Sequence, residues 1–570
     1  MRPTPDQVAN SNLLITISKV RCGAYFLLLS VIFSTFVFAE PVEFSGMVGT
    51  SSDQDWTFFD STQRNSSEFR LNLNPTMKIY DVPLSFDLLL STDENLTMQA
   101  LNKFKVTIKP KKIIGTIINN PDFGLTVPEL NVGNFNPNYS NLVLANTPVN
   151  GFSIELKPWF TRLGFTTGRT QRPVEGSDTS YPTYSRMLYA GSIGFGEKKG
   201  TYFDLTILHS MDDQNSISRN YELIDISLNP DSVELETLEL VKPQENYILG
   251  AKLNLQLFGD KFKLVSEASA SEFTRDLRLP ILRIKEVPDW VENTLRPRMS
   301  SQADISYKIR PVINVFNTQF SGGIKMIGPG YQSMGVQFMR NDIFGYDFAV
   351  ERSFFNNQVS LSGSYVNEKD NLIKIKRLTT HYSTFNINLG ANFPNIPSLQ
   401  VSCSPATQKD DVSKTDILNL SMSSYYSFNT GSLSHSPGIS FYYQTRTTPR
   451  SARKSAMSQI SLSHSIDFSF PLSLSINASY DNSLYDNLSS KSMTVELSPS
   501  YTFFGWWRNN VSLNGIFESA ANRYDVKISS SFPIPKIAEG NFNLTRSLFS
   551  STEDDNFHAW AMSASVSKNW

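Results

Sequence analysis

The chain has 570 residues, 40% of them hydrophobic, 12% aromatic and only 18% charged, with 51 Lys and Arg against 53 Asp and Glu and a formal net charge of -2. That balance excludes the global basic field of a nucleic-acid binder, so no nucleic-acid partner is expected. Beyond the N-terminal region no run reaches the ~18 apolar residues of a membrane helix. A membrane form must therefore cross with strands, because only helices and closed barrels satisfy every backbone polar group in lipid.

Lys19 and Arg21 precede an apolar run over residues 24–38, which closes on Val37-Phe38-Ala39 before Glu40. A charged flank, a short apolar core and a small final residue describe a secretory signal peptide over residues 1–39, with cleavage after Ala39 and with Val37 where a small residue is usual. Cys22 precedes the apolar core, whereas a lipoprotein cysteine would follow it. Cys403 is then the single thiol of the mature chain, with no partner for an internal disulfide or a cysteine-based metal cluster.

Residues 40–130 read as an irregular N-terminal segment. Stretches 69–73, 84–90 and 104–109 look like strands, but 113–136 is rich in Asn, Pro and Gly and lacks clean alternation. Three readings stay open: an inner plug, a periplasmic segment, or the first strands of a wall.

The run Asn134-Phe-Asn-Pro-Asn-Tyr-Ser140 is followed by Gly151-Phe-Ser-Ile-Glu-Leu-Lys-Pro158, Gly168-Arg-Thr-Gln-Arg172, Tyr184-Ser-Arg186 and Gly191-Ser-Ile-Gly-Phe-Gly196. Over about residues 65–275 these patterns resemble uncharacterised outer-membrane β-barrel proteins of Bacteroidetes-type Gram-negative bacteria. The resemblance implies an envelope location and no particular activity. Read as chemistry alone, Asn and Pro before a strand are turn residues, and Gly151 and Gly168 suit strand ends or bulges.

From about residue 150 onward the governing signal is period two. Met493, Val495, Leu497, Tyr501 and Phe503 alternate with Ser492, Thr494, Glu496, Ser498, Ser500 and Thr502. Ile460, Leu462, Ile466 and Phe468 alternate with Ser461, Ser463, Ser465 and Asp467; beyond Pro471 the pattern resumes, which makes a hairpin. Similar alternation runs through 247–257, 385–393, 418–428 and 524–532.

Connections alternate short and long, as in barrels with short periplasmic turns and longer outer loops. Short links fall near 157–160, 196–200, 258–261, 326–331, 353–357, 393–397, 429–433, 470–471, 503–508 and 533–537. Long ones fall at 169–186, 211–245, 272–300, 366–380, 404–416, 446–456, 481–490, 518–523 and 549–556, with a short outer link at 341–343. This predicts an all-β fold: a large transmembrane antiparallel barrel over residues 131–570, with about 21 strands after residue 150, one more upstream, and so roughly 22 in all within a range of ~18–24.

Charged loops supply candidate contacts. The 211–245 loop carries nine carboxylates against Arg219 and Lys242, a cation surface in composition but without the close D-x-D-x-D spacing of a dedicated Ca²⁺ site. Arg446, Arg450, Arg453 and Lys454 on a predicted outer loop could pair with phosphates of lipopolysaccharide, and Lys374, Lys376 and Arg377 form a second basic run. No His pair has ligand spacing among the five histidines, and Ser463 and Ser465 point away from His464 on one strand. No enzyme activity, metal or cofactor is expected.

The last strand alternates as a membrane wall does: Trp560, Met562, Ala564, Val566 and Trp570 on one face, Ala561, Ser563, Ser565, Ser567 and Asn569 on the other. Lys568 stands on the apolar face, tolerable at a membrane edge. A terminal aromatic on such a strand resembles the signal read by the barrel-assembly machinery, which puts Trp560, Met562, Val566 and Trp570 in that role. The expected function is an outer-membrane channel or ligand-docking barrel for a small polar solute; the alternatives are a structural or secretion-associated barrel and a soluble β-rich surface protein.

Overall fold

The structure, a computed structural model, describes residues 42–58, 63–79, 82–92, 102–109, 125–158, 160–177, 180–218, 221–225, 235–239, 241–283, 288–448, 453–486, 488–518, 521–534, 538–551 and 557–569. The expected cleavage site at Ala39, the terminal Trp570 and the loop residue Arg450 lie outside the described residues. The wall opens with β1 (Val42–Phe58), β2 (Gln63–Ile79), β3 (Val82–Ser91), β4 (Lys103–Ile108) and β5 (Leu125–Phe135). Then come β6 (Val149–Pro158), β7 (Thr161–Gln171), β8 (Ser185–Gly196) and β9 (Tyr202–Asp213); β10 (Tyr221–Asp225) and β11 (Leu235–Glu239) form a separate hairpin in the loop that follows. The wall resumes with β12 (Glu245–Leu257) and β13 (Phe262–Thr274), and a short helix, α1 (Asp289–Leu295), interrupts the next loop.

Next are β14 (Ser301–Val315), β15 (Thr318–Ile327), β16 (Ile343–Phe354), β17 (Val359–Asp370), β18 (His381–Ala391), β19 (Ser398–Lys409) and β20 (Lys414–Tyr425). A three-residue strand, β21 (Phe428–Thr430), folds onto β22 (Leu433–Thr448). The chain finishes with β23 (Arg453–Asp467), β24 (Leu472–Tyr485), β25 (Leu488–Phe503), β26 (Trp507–Glu518), β27 (Ala521–Ile534), β28 (Ala538–Ser551) and β29 (Phe557–Asn569). Consecutive wall strands pair antiparallel, and β29 pairs with β1 from Met47↔Asn569 to Phe58↔His558, so the sheet closes on itself as a barrel of 26 strands.

Two faces follow from the register. Phe203, Leu205 and Ile207 on β9, Ile305, Ile309 and Ile313 on β14, and Ile460 and Leu462 on β23 are large, exposed and outward. Their alternates are Asp204 and Thr206, Ser306 and Arg310, and Ser461 and Ser463. An apolar outer belt around a polar inner face is the reverse of a soluble protein and the pattern of a barrel in lipid. Short turns gather at one end. Four of them put Phe at a positive φ: Phe258, Phe316, Phe355 and Phe504. That conformation is unfavourable for a residue with a Cβ, and each of these rings is largely exposed at its turn tip, where aromatic girdles meet the headgroups.

The wall corrects two expectations and decides a third. Downstream of residue 148 it has the expected 21 strands, but five rather than one lie upstream, which raises the total from about 22 to 26. Stretches 69–73, 84–90 and 104–109 fall within β2, β3 and β4, but in β1 Thr50, Ser52 and Gln54, outward and opposite Val566, Ala564 and Met562, interrupt the apolar face that Phe44 and Val48 begin. β5 carries Pro128 within a register shift between Thr126 and Glu129, and it runs across the expected boundary at 130/131. Second, of the three readings open for residues 40–130, the described part of residues 40–109 takes the last: β1 to β4 are strands of the wall. Third, the short link expected at 326–331 is instead the start of a long loop: β14 ends at Val315, the hairpin turns at Phe316 and Asn317, and the stretch expected as a strand before 341–343 belongs to that loop.

The two faces predict opposite responses to charge. Leu462→Arg, in the lipid belt, should cost about 2–4 kcal/mol of unfolding free energy. Ser461→Arg, facing the bore, should cost less than about 0.5 kcal/mol, as surface substitutions do. Urea unfolding in detergent micelles, followed by Trp fluorescence, measures both.

A candidate lumenal constriction

Two loops from the long-loop end fold back into the bore. Residues 136–148 join β5 to β6, and residues 328–342 join β15 to β16. In the first, the Val143 and Leu144 amides both donate to the Ser140 carbonyl at 3.2 and 3.0 Å, and Tyr139 N donates to Leu144 O at 3.0 Å. This tight turn drives Val143 and Leu144 against Leu188 and Ala190 of β8, Leu208 of β9 and Ile248 of β12, with Tyr139 packed beside them. Val143, Leu144, Leu188 and Leu208 are wholly buried. Burial of such side chains stabilises by about 1.5–3 kcal/mol each.

The wall has room for these loops. A Cβ on Gly250 of β12 would lie 2.4 Å from Val143 Cγ2, and one on Gly335 would lie 2.4 Å from the Val143 carbonyl and 2.6 Å from Leu208 Cδ1. The two loops are joined by a parallel bridge between Ala145 and Val336, with Ala145 N donating to Gly335 O at 3.0 Å. Thr147 Oγ1 donates to Gly335 O and Ser333 Oγ to Val143 O, both at 2.8 Å.

Tyr331 fastens both loops to the wall. Its ring is fully buried, its hydroxyl donates to Leu142 O at 2.8 Å and lies 2.7 Å from Ser269 Oγ on β13. Asn246 of β12 donates to Gln332 O at 3.2 Å and receives Met334 N at 3.0 Å. Tyr139 OH meets Thr166 Oγ1 of β7 at 2.8 Å. Burial pushes both phenols above their ordinary pKa, so they act as neutral hydrogen-bonding groups.

Charge lines the same sector. Glu267 accepts from Ser140 Oγ at 3.1 Å and pairs with Lys252 at 2.9 Å; Arg162 pairs with Asp204, and Arg310 with Asp347 at 2.6 Å. Beneath the first loop is a polar cavity of about 200 Å³ lined by Tyr139, Glu155, Arg162, Lys198, Asp204 and Lys252. Across the bore the inner faces of β19 to β25 are largely uncharged, with Ser402, Ser440, Ser461, Ser463 and Ser479 half-buried and Ser421 exposed. Among the described residues, the inward loops cover the first sector alone.

The second loop is latched at its end. Asp342 accepts the Asn371 and Leu372 amides at 3.1 and 2.8 Å and pairs with Lys376 at 2.6 Å. Burial draws the Asp342 carboxyl upward, but the Lys376 ammonium and the two amides more than offset this and leave its pKa below the ordinary aspartate value. Lys376, in the second basic run, is thus held by Asp342 and, at 3.7 Å, by Asp370.

The residues singled out by sequence are not gathered here. Arg446 faces the bore on β22, opposite Ser455 and Ile417, whereas Lys454 faces lipid on β23; Arg453 opens β23 opposite Thr448. The structure therefore splits the basic loop between two faces. On β29, Trp560, Met562 and Val566 share the outward face, with Met562 opposite Leu544 and the Arg546 guanidinium 5.1 Å over the Trp560 ring. In the acidic loop Asp212 is bound to Arg186 at 2.7 Å and Glu245 to His209 at 2.8 Å. No group of three metal-ligating side chains converges among the described residues. The constriction itself left one mark in the sequence: β8, β9 and β12 are apolar on both faces at Met187-Leu188-Tyr189-Ala190, Ile207-Leu208 and Tyr247-Ile248-Leu249.

No protein-family model and no curated protein sequence matches this chain. Among solved structures it is similar to a chain of the E. coli P pilus tip assembly intermediate PapC-PapD-PapK-PapG, at 11% identity and a TM-score of 0.44, over 92% of this chain and 60% of that one. It is also similar to the P pilus usher (PapC) translocation pore, at 11% identity and a TM-score of 0.30 over 92% and 99% of the two chains. Pseudomonas aeruginosa OpdK with vanillate is a third, at 9% identity and a TM-score of 0.27 over 59% and 94%. This chain spans 60% of the length of the first of these.

Tyr331→Phe removes a hydroxyl that satisfies Leu142 O and Ser269, a loss of about 1–3 kcal/mol. Amide hydrogen exchange at residues 142–145 should accelerate roughly ten- to a hundredfold at unchanged exchange in β24 to β27. A pH dependence is expected at the latch. Because the folded Asp342 pKa is depressed, its contribution is complete above the unfolded value near 3.9 and is lost as pH falls through the lower folded value. Exchange at the Asn371 and Leu372 amides should rise over that acid window, and Asp342→Asn should remove the pH dependence.

Proposed function

We propose that this chain is a channel of the Gram-negative outer membrane that admits small polar solutes along a water-lined sector beside a fixed constriction. One observation carries the reading: among the described residues, the inner wall is divided into a sector covered by the two inward loops and a sector of Ser and Asn side chains that neither loop covers. A barrel of 26 strands encloses more space than strand side chains fill. The two loops occupy part of that space and narrow it, which suits passage of small polar solutes. Export through a signal peptide cleaved after Ala39, and assembly through a C-terminal strand presenting Trp560, Met562 and Val566 and ending at Trp570, belong to the same proposal.

Planar-bilayer recording tests it. The purified chain should conduct, and Val143→Asp/Leu144→Asp, which places carboxylates where the first loop docks, should raise the single-channel conductance at least twofold. Absence of conductance from both proteins would favour a structural or secretion-associated barrel instead.

A further inference from the structure

We propose that the long-loop rim of β17 to β23 is a binding site for the phosphate groups of the outer-leaflet glycolipid, formed by Lys369, His381, Lys409, Lys414 and Lys454. The strand register brings together residues scattered over 86 positions of sequence. Lys369 lies opposite His381, His381 opposite Lys409, and Lys409 opposite Lys414. Lys454 lies one pleat lower, opposite Thr447, which is itself the partner of Asp416 on β20. All five alternate with bore-facing neighbours such as Glu368, Tyr382, Gln408 and Thr415, so they face lipid, and all five are exposed. Adjacent strands are about 4.8 Å apart, so the row extends for about 24 Å along the rim.

Depth assigns the row to the headgroups. One pleat below it, about 6.8 Å along each strand and so about 5 Å deeper at the tilt of a barrel wall, come Asn367, Ser383, Thr407 and Asp416, where Asn367 donates to Ser383 at 2.7 Å and Thr407 to Asp416 at 2.8 Å. Another pleat down are Tyr365, Phe385 and Leu418, the top of the apolar belt, with Tyr443 opposite Leu420 one pleat further. Cations, then hydroxyls and amides, then rings is the order of a bilayer's outer edge.

The nearby carboxylates are mostly engaged elsewhere. Asp416 is held by Lys414 at 2.8 Å; Asp410 accepts Val412 N, Ser413 N and Ser413 Oγ within its own turn; and Asp486 accepts Lys454 N at 3.1 Å. Asp411 is exposed at the turn tip. Among the described residues Lys369, Lys409 and Lys454 make no ion pair, and Lys369 Nζ lies 5.8 Å over the Phe344 ring. On the other side of the barrel the same rim presents His209, Glu245 and Glu272 outward, so the cationic row is local. Ammonium groups at bilayer height form charge-assisted hydrogen bonds with phosphate oxygens, and a headgroup with two phosphates can engage several at once. This site is independent of whether the barrel conducts.

Native mass spectrometry of the full chain in detergent, titrated with bisphosphorylated lipid A, reads the site directly. Lys369→Gln/Lys409→Gln/Lys454→Gln should weaken binding on the order of a hundredfold, about fivefold per lysine, with heat-modifiable migration unchanged. The corresponding triple Arg variant should bind within about threefold of the parent, since charge and donors persist. Should the triple Gln variant fail to fold, Lys454→Gln alone at its exposed position should still cost about fivefold. Undiminished lipid A binding by the folded Gln variants would overturn the site, and phosphatidylglycerol binding as tight as lipid A would overturn its assignment to the glycolipid.

Discussion

In the hydrocarbon of a bilayer no water is present to satisfy a backbone N–H or C=O, and an unpaired group there costs several kcal/mol. The pairing of β1 with β29 over Met47↔Asn569 to Phe58↔His558 meets that demand at the one place where chain continuity does not. Closure then fixes much else. An antiparallel ring with both ends of the chain at the same rim needs an even number of strands, and side chains must alternate between lipid and bore. Short turns collect at one rim, which leaves the longer connections at the other free to carry function.

Two of those connections use the inner surface as a core. Facing the bore, Leu188, Leu208 and Ile248 would otherwise be apolar groups against water; Val143 and Leu144 cover them, and Tyr331 and Asn246 absorb the backbone groups that come with the covering loops. The result is a small conventional protein interior inside a polar tube. It is held by packing and hydrogen bonds rather than by ladder pairing, so it can be altered without opening the wall. The serine-rich sector opposite has few such apolar groups, Ile417 and Met457 among them, and none of the described loops packs on it. A difference of a few side chains therefore decides which part of the bore is filled.

Most of the wall was legible in the chain because lipid on one side and water on the other impose period two, as in Ile460 to Asp467 or Met493 to Phe503. The first five strands were legible only in part: 69–73, 84–90 and 104–109 fall within β2, β3 and β4, whereas Thr50, Ser52 and Gln54 interrupt the outer face of β1 and Pro128 interrupts β5. Pattern also failed at β14 to β16, where apolar residues in the inward loop such as Tyr331, Met334 and Val336 imitate a strand while packing against the inside of the wall. Neither face of the basic loop could be assigned before register was known: Arg446 and Lys454 share a hairpin and point to opposite solvents. The rim row across β17 to β23 was illegible for the same reason, as neighbours in space come from strands far apart in sequence.

Closure through the N-terminal strands is the claim on which the strand count, the two faces and the location of the constriction all rest. Ser51 and Ser565 are direct partners across the seam, at the Cα separation of about 4.5–5.5 Å that a disulfide accepts. In a Cys403→Ser background, Ser51→Cys/Ser565→Cys should oxidise to an intramolecular cross-link in the membrane-inserted protein, detected as a linked peptide by mass spectrometry after digestion, with heat-modifiable migration unchanged. Free thiols at both positions in a folded, inserted barrel would contradict the seam and return β1 to β4 to a place outside the wall.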